Sequence, residues 1–238
     1  MSVNLSGNPA SQSPTLFVLG DSISIQYGPF LEQLLAGRYI CDRKGSELLK
    51  ADSAEKRQVD ILGRLAALED SSEAINGGDS NAVLGYLQGR KPSTASNWTV
   101  LLLNCGLHDI RTDPFSNARQ VEPESYGENL KSIVPLAARL SRWVVWVRTT
   151  PVVDARHQRL NPDYQRFNAD VEHYNQVADA IMDHTGIPKI DLYGFTQRLH
   201  SMYPSLDALY SDHVHFIEPV QRLQAAYIAG WLDAYPFA

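Results

Sequence analysis

The sequence predicts a single α/β domain built on a mostly parallel sheet covered by helices. Three observations carry that expectation. Short apolar runs alternate with stretches of helical period along the chain. The runs are apolar at nearly every position rather than at every second one, as in strands covered on both faces. A length of 238 residues suits one domain with a substantial core. Residues 1–14 are set apart as a polar N-terminal extension, and 15–238 are read as the domain.

Thr15–Leu19 is an apolar run closed by Gly20, after which Phe30, Leu31, Leu34 and Leu35 recur at helical spacing. A strand, a tight turn and a helix are expected there. Residues 98–103, 143–149 and 188–192 are further strand candidates, rich in β-branched, aromatic or leucine side chains and too short for a typical helix. Between them lie amphipathic patterns at Val59, Leu62 and Ala66, at Val83, Leu84 and Leu87, and at Val171, Tyr174, Ala178 and Ile181. Within the helix patterned over 130–140, Pro135 is expected to kink or interrupt the chain. A last helix is expected to start at Pro219 and to run through Leu223, Tyr227 and Trp231. The alternation implies right-handed crossovers. Residues 42–70 read as a solvated helical excursion, and the polar segment 156–166 as a surface loop, with the border of a site as the alternative. There is no internal repeat or low-complexity tract.

Composition narrows the function. Acidic residues outnumber basic ones 27 to 21, giving a net charge of −6, and no lysine or arginine stripe offers a nucleic-acid footprint. No apolar run approaches the roughly 20 residues of a spanning helix, so no membrane partner is expected. The first 14 residues have neither a basic start nor an apolar run, so no signal peptide is read and a cytoplasmic location is expected. Cys41 and Cys105 are the only cysteines, which fits a reducing compartment rather than a disulfide framework.

Chemistry concentrates in four segments. Gly20-Asp21-Ser22 lies between the first strand and the following helix, beyond the carboxyl end of a strand, where α/β proteins bind ligands. Read alone, Asp21 or Ser22 is better explained as a helix cap than as a nucleophile turn. Asp212-His213-Val214-His215 precedes the last helix, and an aspartate three residues before a histidine can fold back to hold the imidazole that a serine hydroxyl needs as base. His213 and His215 also alternate as paired metal ligands do, but no further His, Cys or Glu with ligand spacing accompanies them, so no metal is expected. Asn76-Gly77-Gly78-Asp79-Ser80 precedes a helix and can present backbone N–H groups to an oxyanion. Asn104-Cys105-Gly106-Leu107-His108-Asp109 follows the most apolar strand, putting Gly106 and His108 at the sheet edge that carries Ser22.

In this order the four segments resemble the conserved blocks of the SGNH hydrolases, the GDSL-like esterase/lipase superfamily, across residues 15–235. The resemblance implies a flavodoxin-like three-layer α/β/α sandwich with a mostly parallel, about five-stranded sheet. It implies Ser22 as nucleophile, with His215 and Asp212 completing a triad. The oxyanion donors it implies are the Ser22 and Gly78 amides and His108, with Asp21, Gly106 and Asp109 as substrate-binding neighbours and no metal or organic cofactor. Asn81 is the alternative to Gly78 in the second block; Gly78 is preferred because Asp79-Ser80 opens a helix. His108 departs from the family, which usually has Asn in a Gly-x-Asn-Asp pattern; a ring N–H can still donate. The Gly-Leu-His-Asp variant resembles a bacterial subset regarded as carbohydrate-directed.

The function implied is a serine esterase acting through an acyl-enzyme on short acyl groups, such as acetyl, carried by a carbohydrate or other polar alcohol. The partner is thus a small-molecule or oligosaccharide ester; the sequence does not fix an oligomeric state. A lysophospholipase or thioesterase would use the same triad, and a non-catalytic carbohydrate-binding protein would keep only the fold. A nucleotide-binding protein of this fold would need a Gly-x-Gly-x-x-Gly turn after the first strand, which is missing.

Overall fold

Five strands pair in the order β2-β1-β3-β4-β5, all parallel, in a computed structural model that describes residues 13–46, 72–90 and 98–237. They are β1 (Thr15–Leu19), β2 (Ile40–Arg43), β3 (Trp98–Leu103), β4 (Ser141–Val147) and β5 (Lys189–Ile190). The central strands are buried along nearly their whole length: Leu16, Leu19, Leu101, Leu103 and Val145 show no accessible surface. Register carries Leu16 opposite Val100 and Leu103 opposite Trp146, so the apolar side chains stack across the sheet. Truncating such a leucine to alanine costs about 2–5 kcal/mol.

Helices cover both faces, completing the three-layer sandwich. On one face α1 (Ser22–Leu34) packs on α8 (Glu218–Ala234), which also meets α7 (Leu192–Arg198). On the other, α4 (Pro123–Leu140) packs between α3 (Ser80–Gln88) and α6 (Asn168–Thr185). Two shorter helices, α2 (Ser72–Ile75) and α5 (Asp154–Leu160), are also present among the described residues. Among the described residues no helix is long and apolar enough to cross a membrane.

Several details differ from the expected pattern. β2 was hidden because Ile-Cys-Asp-Arg is short, polar and at the sheet edge, so it needs only one buried neighbour. Asp42 therefore belongs to a strand rather than to a helical excursion; the pattern at Val59, Leu62 and Ala66 lies outside the described residues. β4 begins directly at the end of α4 and stops at Val147, leaving Arg148 and Thr149 to the loop above it. α4 is not interrupted at Pro135: the proline is on the exposed side, where water can serve the carbonyl that loses its amide partner. In α8 the fully buried positions are Val220, Gln224, Ala225 and Ile228, with Leu223, Tyr227 and Trp231 half-buried beside them. The segment 156–166 is not a plain surface loop, since α5 occupies its first half and His157 and Arg166 are 0% and 2% exposed.

The strand order reverses between β1 and β3, and the carboxyl ends of these two strands open the crevice where α/β sheets take ligands. Gly20-Asp21-Ser22 leaves β1 there, and Asn104 to Asp109 leave β3 beside it, joined to it by the Asn104 N–H donating to the Leu19 carbonyl at 3.0 Å.

Candidate active site

The turn after β1 is built to present Ser22. Asp21 is extended and caps α1: its Oδ1 accepts from the Ile23 N–H at 2.9 Å, and its carbonyl accepts from the Ser24 hydroxyl at 2.7 Å. A cap of this kind contributes about 1 kcal/mol. Ser22 is then the first residue of the helix, half-buried, with its amide among the helix's free first-turn donors; among the described residues that amide has no acceptor. Gly77 backs the turn, its N–H donating to the Gly20 carbonyl at 2.9 Å, and a Cβ on Gly77 would lie 3.0 Å from that oxygen.

The second half comes from the loop before α8. A bridge between Tyr210 and Phe216 closes it, and the Ser211 N–H donates to the His215 carbonyl at 2.8 Å. Inside it Asp212 folds back, Oδ1 accepting from the Val214 and His215 amides, each at 2.7 Å. Its other oxygen lies 2.7 Å from His215 Nδ1, and His215 Nε2 lies 2.7 Å from Ser22 Oγ. A carboxylate at Nδ1 puts the ring proton there and leaves Nε2 to accept the serine proton. Burial alone would raise the Asp212 carboxyl; the His215 contact and the two amides outweigh it and hold it below the usual carboxylate range. Both His215 nitrogens are thereby engaged, one with Asp212 and the other with Ser22. Among the described residues no three His, Cys, Asp or Glu side chains converge as a metal site requires.

Arg156 of α5 locks the loop from outside. Its Nη1 donates to Asp207 Oδ2 at 2.9 Å, its Nη2 to the Tyr210 carbonyl at 3.1 Å, and its Nε to the Asp212 carbonyl. From α1, Gln26 Oε1 accepts the Phe216 N–H at 3.2 Å, fixing the loop against the helix that carries Ser22.

The remaining predicted residues divide. Gly78 sits in the turn before α3 with φ of +76°, a conformation that favours glycine, but its N–H donates to Asn76 Oδ1 at 2.9 Å. Asn81 lies inside α3, where its side chain accepts from Asn129 at 2.9 Å. His108 is half-buried near His215, and among the described residues its ring has no hydrogen-bond partner. Burial first, then the Arg111 and Arg166 charges and His215, push its pKa down to about 3, so the ring is neutral at ordinary pH.

Asp21, Gly106 and Asp109 were expected to meet substrate; in the structure they are buried among loop contacts. Asp21 and Asp109 are 3% and 0% exposed. Both Asp109 oxygens accept from the Ser80 N–H, at 2.9 and 3.1 Å, joining the third block to the helix that follows the second. Burial raises the Asp109 carboxyl to about 6 against those amide contacts. Gly106, with φ of +137°, passes so close to Thr149 that a Cβ would lie 2.7 Å from its Oγ1. All three shape the loops.

Sequence reasoning missed a group beside His213, the neighbour of His215. Tyr164 lies with the Arg111 and Arg166 guanidiniums 4.7 and 4.9 Å from its ring centre. Arg166 donates from Nε to the Leu107 carbonyl at 2.6 Å, and its Nη1 is 3.3 Å from His157 Nε2. The signal available was the density of Arg, His and Tyr in 156–166, which reads equally well as a solvated loop.

No protein-family model and no curated protein sequence matches the chain. Solved structures do. The acetylxylan esterase Axe2 from Geobacillus stearothermophilus is 15% identical with a TM-score of 0.63, over 96% of this chain and 97% of that one. A lipase/acylhydrolase from Enterococcus faecalis is 15% identical with a TM-score of 0.61, over 92% and 95%. LAE5, an alpha/beta hydrolase enzyme from the metagenome of Lake Arreo, Spain, is 14% identical with a TM-score of 0.63, over 93% and 95%. The chain shares its fold with these esterases and hydrolases. At such identity the likeness establishes architecture, and the chemistry rests on the residues above.

Proposed function

We propose that the chain is a serine esterase that cleaves carboxylic esters through an acyl-enzyme, acting on short acyl groups such as acetyl on a carbohydrate or other polar alcohol. The observation that carries this reading is the unbroken path from Ser22 Oγ through His215 to Asp212, with 2.7 Å at each link. Among the structures sharing the fold, Axe2 is described as an acetylxylan esterase, and a serine and a histidine variant of it are both described as catalytic mutants.

As Ser22 Oγ attacks the ester carbonyl, its proton passes to His215 Nε2, and Asp212 stabilises the imidazolium that forms. The carbonyl oxygen becomes an oxyanion, which accepts from the Ser22 N–H and from the ring N–H of neutral His108. The Gly78 N–H contributes only by sharing or exchanging its Asn76 acceptor. Collapse of the tetrahedral intermediate breaks the bond to the alcohol, which leaves with the proton from His215. Water then repeats the sequence, giving a proton to His215 and releasing the acid from Ser22.

The test is hydrolysis of a panel of 4-nitrophenyl esters from acetyl to long-chain acyl, with acetylated oligosaccharides beside it. The expected result is fastest turnover on acetyl, abolished in Ser22→Ala. Preference for long chains would move the reading to a lipase or lysophospholipase. A folded protein inert on every ester would favour a binding role.

A further inference from the structure

Tyr164 and its two arginines form a patch whose charge is not balanced locally. Among the described residues neither Arg111 nor Arg166 pairs with a carboxylate, and Arg111 Nε is buried with no partner. The carboxylates nearby are spoken for. Asp21 acts on Arg166 but is buried on the Ile23 amide, and both oxygens of Asp212 are engaged with the His215 loop. The histidines bring no charge: burial pushes His157 down to about 4 and lowers His213. The patch adjoins the reacting groups. The His213 ring is 6.1 Å from His215, 6.4 Å from Tyr164 and 5.0 Å from His157. A chain with a net charge of −6 thus keeps two guanidiniums without a carboxylate partner in the neighbourhood of His213 and His215.

Taking charge out of water without a partner is unfavourable, so an unmatched cation at the edge of a reactive site points to a ligand that supplies the missing anion. Arg166 is 2% exposed and tied to the Leu107 carbonyl, so it props Tyr164 from beneath and contributes field. Arg111, Tyr164 and His213 are only half-buried, so part of each is open to a ligand. A guanidinium fork presents paired N–H donors that match a carboxylate, and the Tyr164 hydroxyl can add a third.

Building on the serine-esterase reading, we infer that Arg111, with Tyr164 and His213, forms a subsite for a carboxylate on the ester substrate, next to the scissile carbonyl. The carboxylate belongs either to the acyl group, as in a half-ester of a dicarboxylic acid, or to the alcohol, as in an acetylated uronic acid.

The experiment compares kcat/KM for matched pairs on the wild-type protein and on Arg111→Met. On the acyl side the pair is 4-nitrophenyl hemisuccinate and its neutral methyl ester; on the alcohol side, acetylated glucuronic acid and acetylated glucose. The wild type is expected to prefer the charged member of one pair, and that pair identifies the side. Raising ionic strength should shrink the preference. In Arg111→Met the charged-to-neutral ratio should fall about 10- to 100-fold, the usual worth of a charge-assisted pair, with Arg111→Lys between. A wild-type ratio at or below one in both pairs, or a ratio unchanged in a folded Arg111→Met, overturns the subsite and leaves the esterase reading standing. If none of these esters, charged or neutral, is hydrolysed, the esterase reading fails and the subsite falls with it.

Discussion

Asp212 holds His215 twice, Oδ1 accepting the His215 backbone N–H and Oδ2 standing on its Nδ1, each at 2.7 Å. One carboxylate thus fixes both the loop's backbone and the ring's tautomer. Asp212→Asn keeps the shape but offers an amide that can donate to Nδ1 and favour the wrong tautomer, so kcat should fall by about 10³ to 10⁴. The same contacts act on stability. A carboxyl held below its usual value stabilises the fold at neutral pH, and that contribution is lost as pH falls below the unfolded value near 4. The urea midpoints of wild type and Asp212→Asn should therefore differ more at pH 7 than at pH 3. Equal gaps at both would remove the charge from the account.

His108 tests the oxyanion assignment. His108→Ala should lower kcat by about 10² to 10³ with little change in KM, and His108→Asn should restore part of it. Because His108 is neutral above about pH 3, the acid limb of the wild-type and His108→Asn profiles should coincide. Turnover within about threefold of wild type in a folded His108→Ala, far short of a lost donor, would withdraw the role.

Arg156 reaches the chemistry only through the loop it clasps at Asp207, Tyr210 and Asp212. Arg156→Met should lower stability by about 1.5–3 kcal/mol, the usual worth of hydrogen bonds to a charged group. It should also lower kcat more than it raises KM, because Asp212 loses its register under His215. An unchanged kcat in the folded variant would make the clasp purely structural.

The fold was readable where burial is strong. β1, β3, α3 and α6 follow from unbroken apolar runs or clear helical period, because a wholly covered strand tolerates few polar residues. β2 was not readable, since an edge strand with one neighbour can carry Asp42 and Arg43. Ser22, Asp212 and His215 stood out because each lies at the end of an element and the pair is three residues apart. The Arg111–Tyr164–Arg166 group did not, for its members come from two loops and meet only through tertiary packing. Burial, too, was invisible: Asp21 and Asp109 have the composition of site residues and the surroundings of loop supports.

Gly106 shows how tightly those loops are set. Its φ of +137° and the 2.7 Å approach of a would-be Cβ to Thr149 Oγ1 leave no room for a side chain. Gly106→Ala should cost about 1–3 kcal/mol in thermal or urea unfolding. A variant as stable as wild type would show that the loop can relax.

The proposed reaction rests on Ser22, activated by His215, as its nucleophile. Incubation with an organophosphonate ester followed by peptide mass mapping tests it directly, because only an activated hydroxyl is phosphonylated quickly. One adduct per chain on Ser22, lost in Ser22→Ala and slowed by orders of magnitude in His215→Ala, is the predicted result. Labelling of another serine, or equal labelling of folded wild type and His215→Ala, would contradict it.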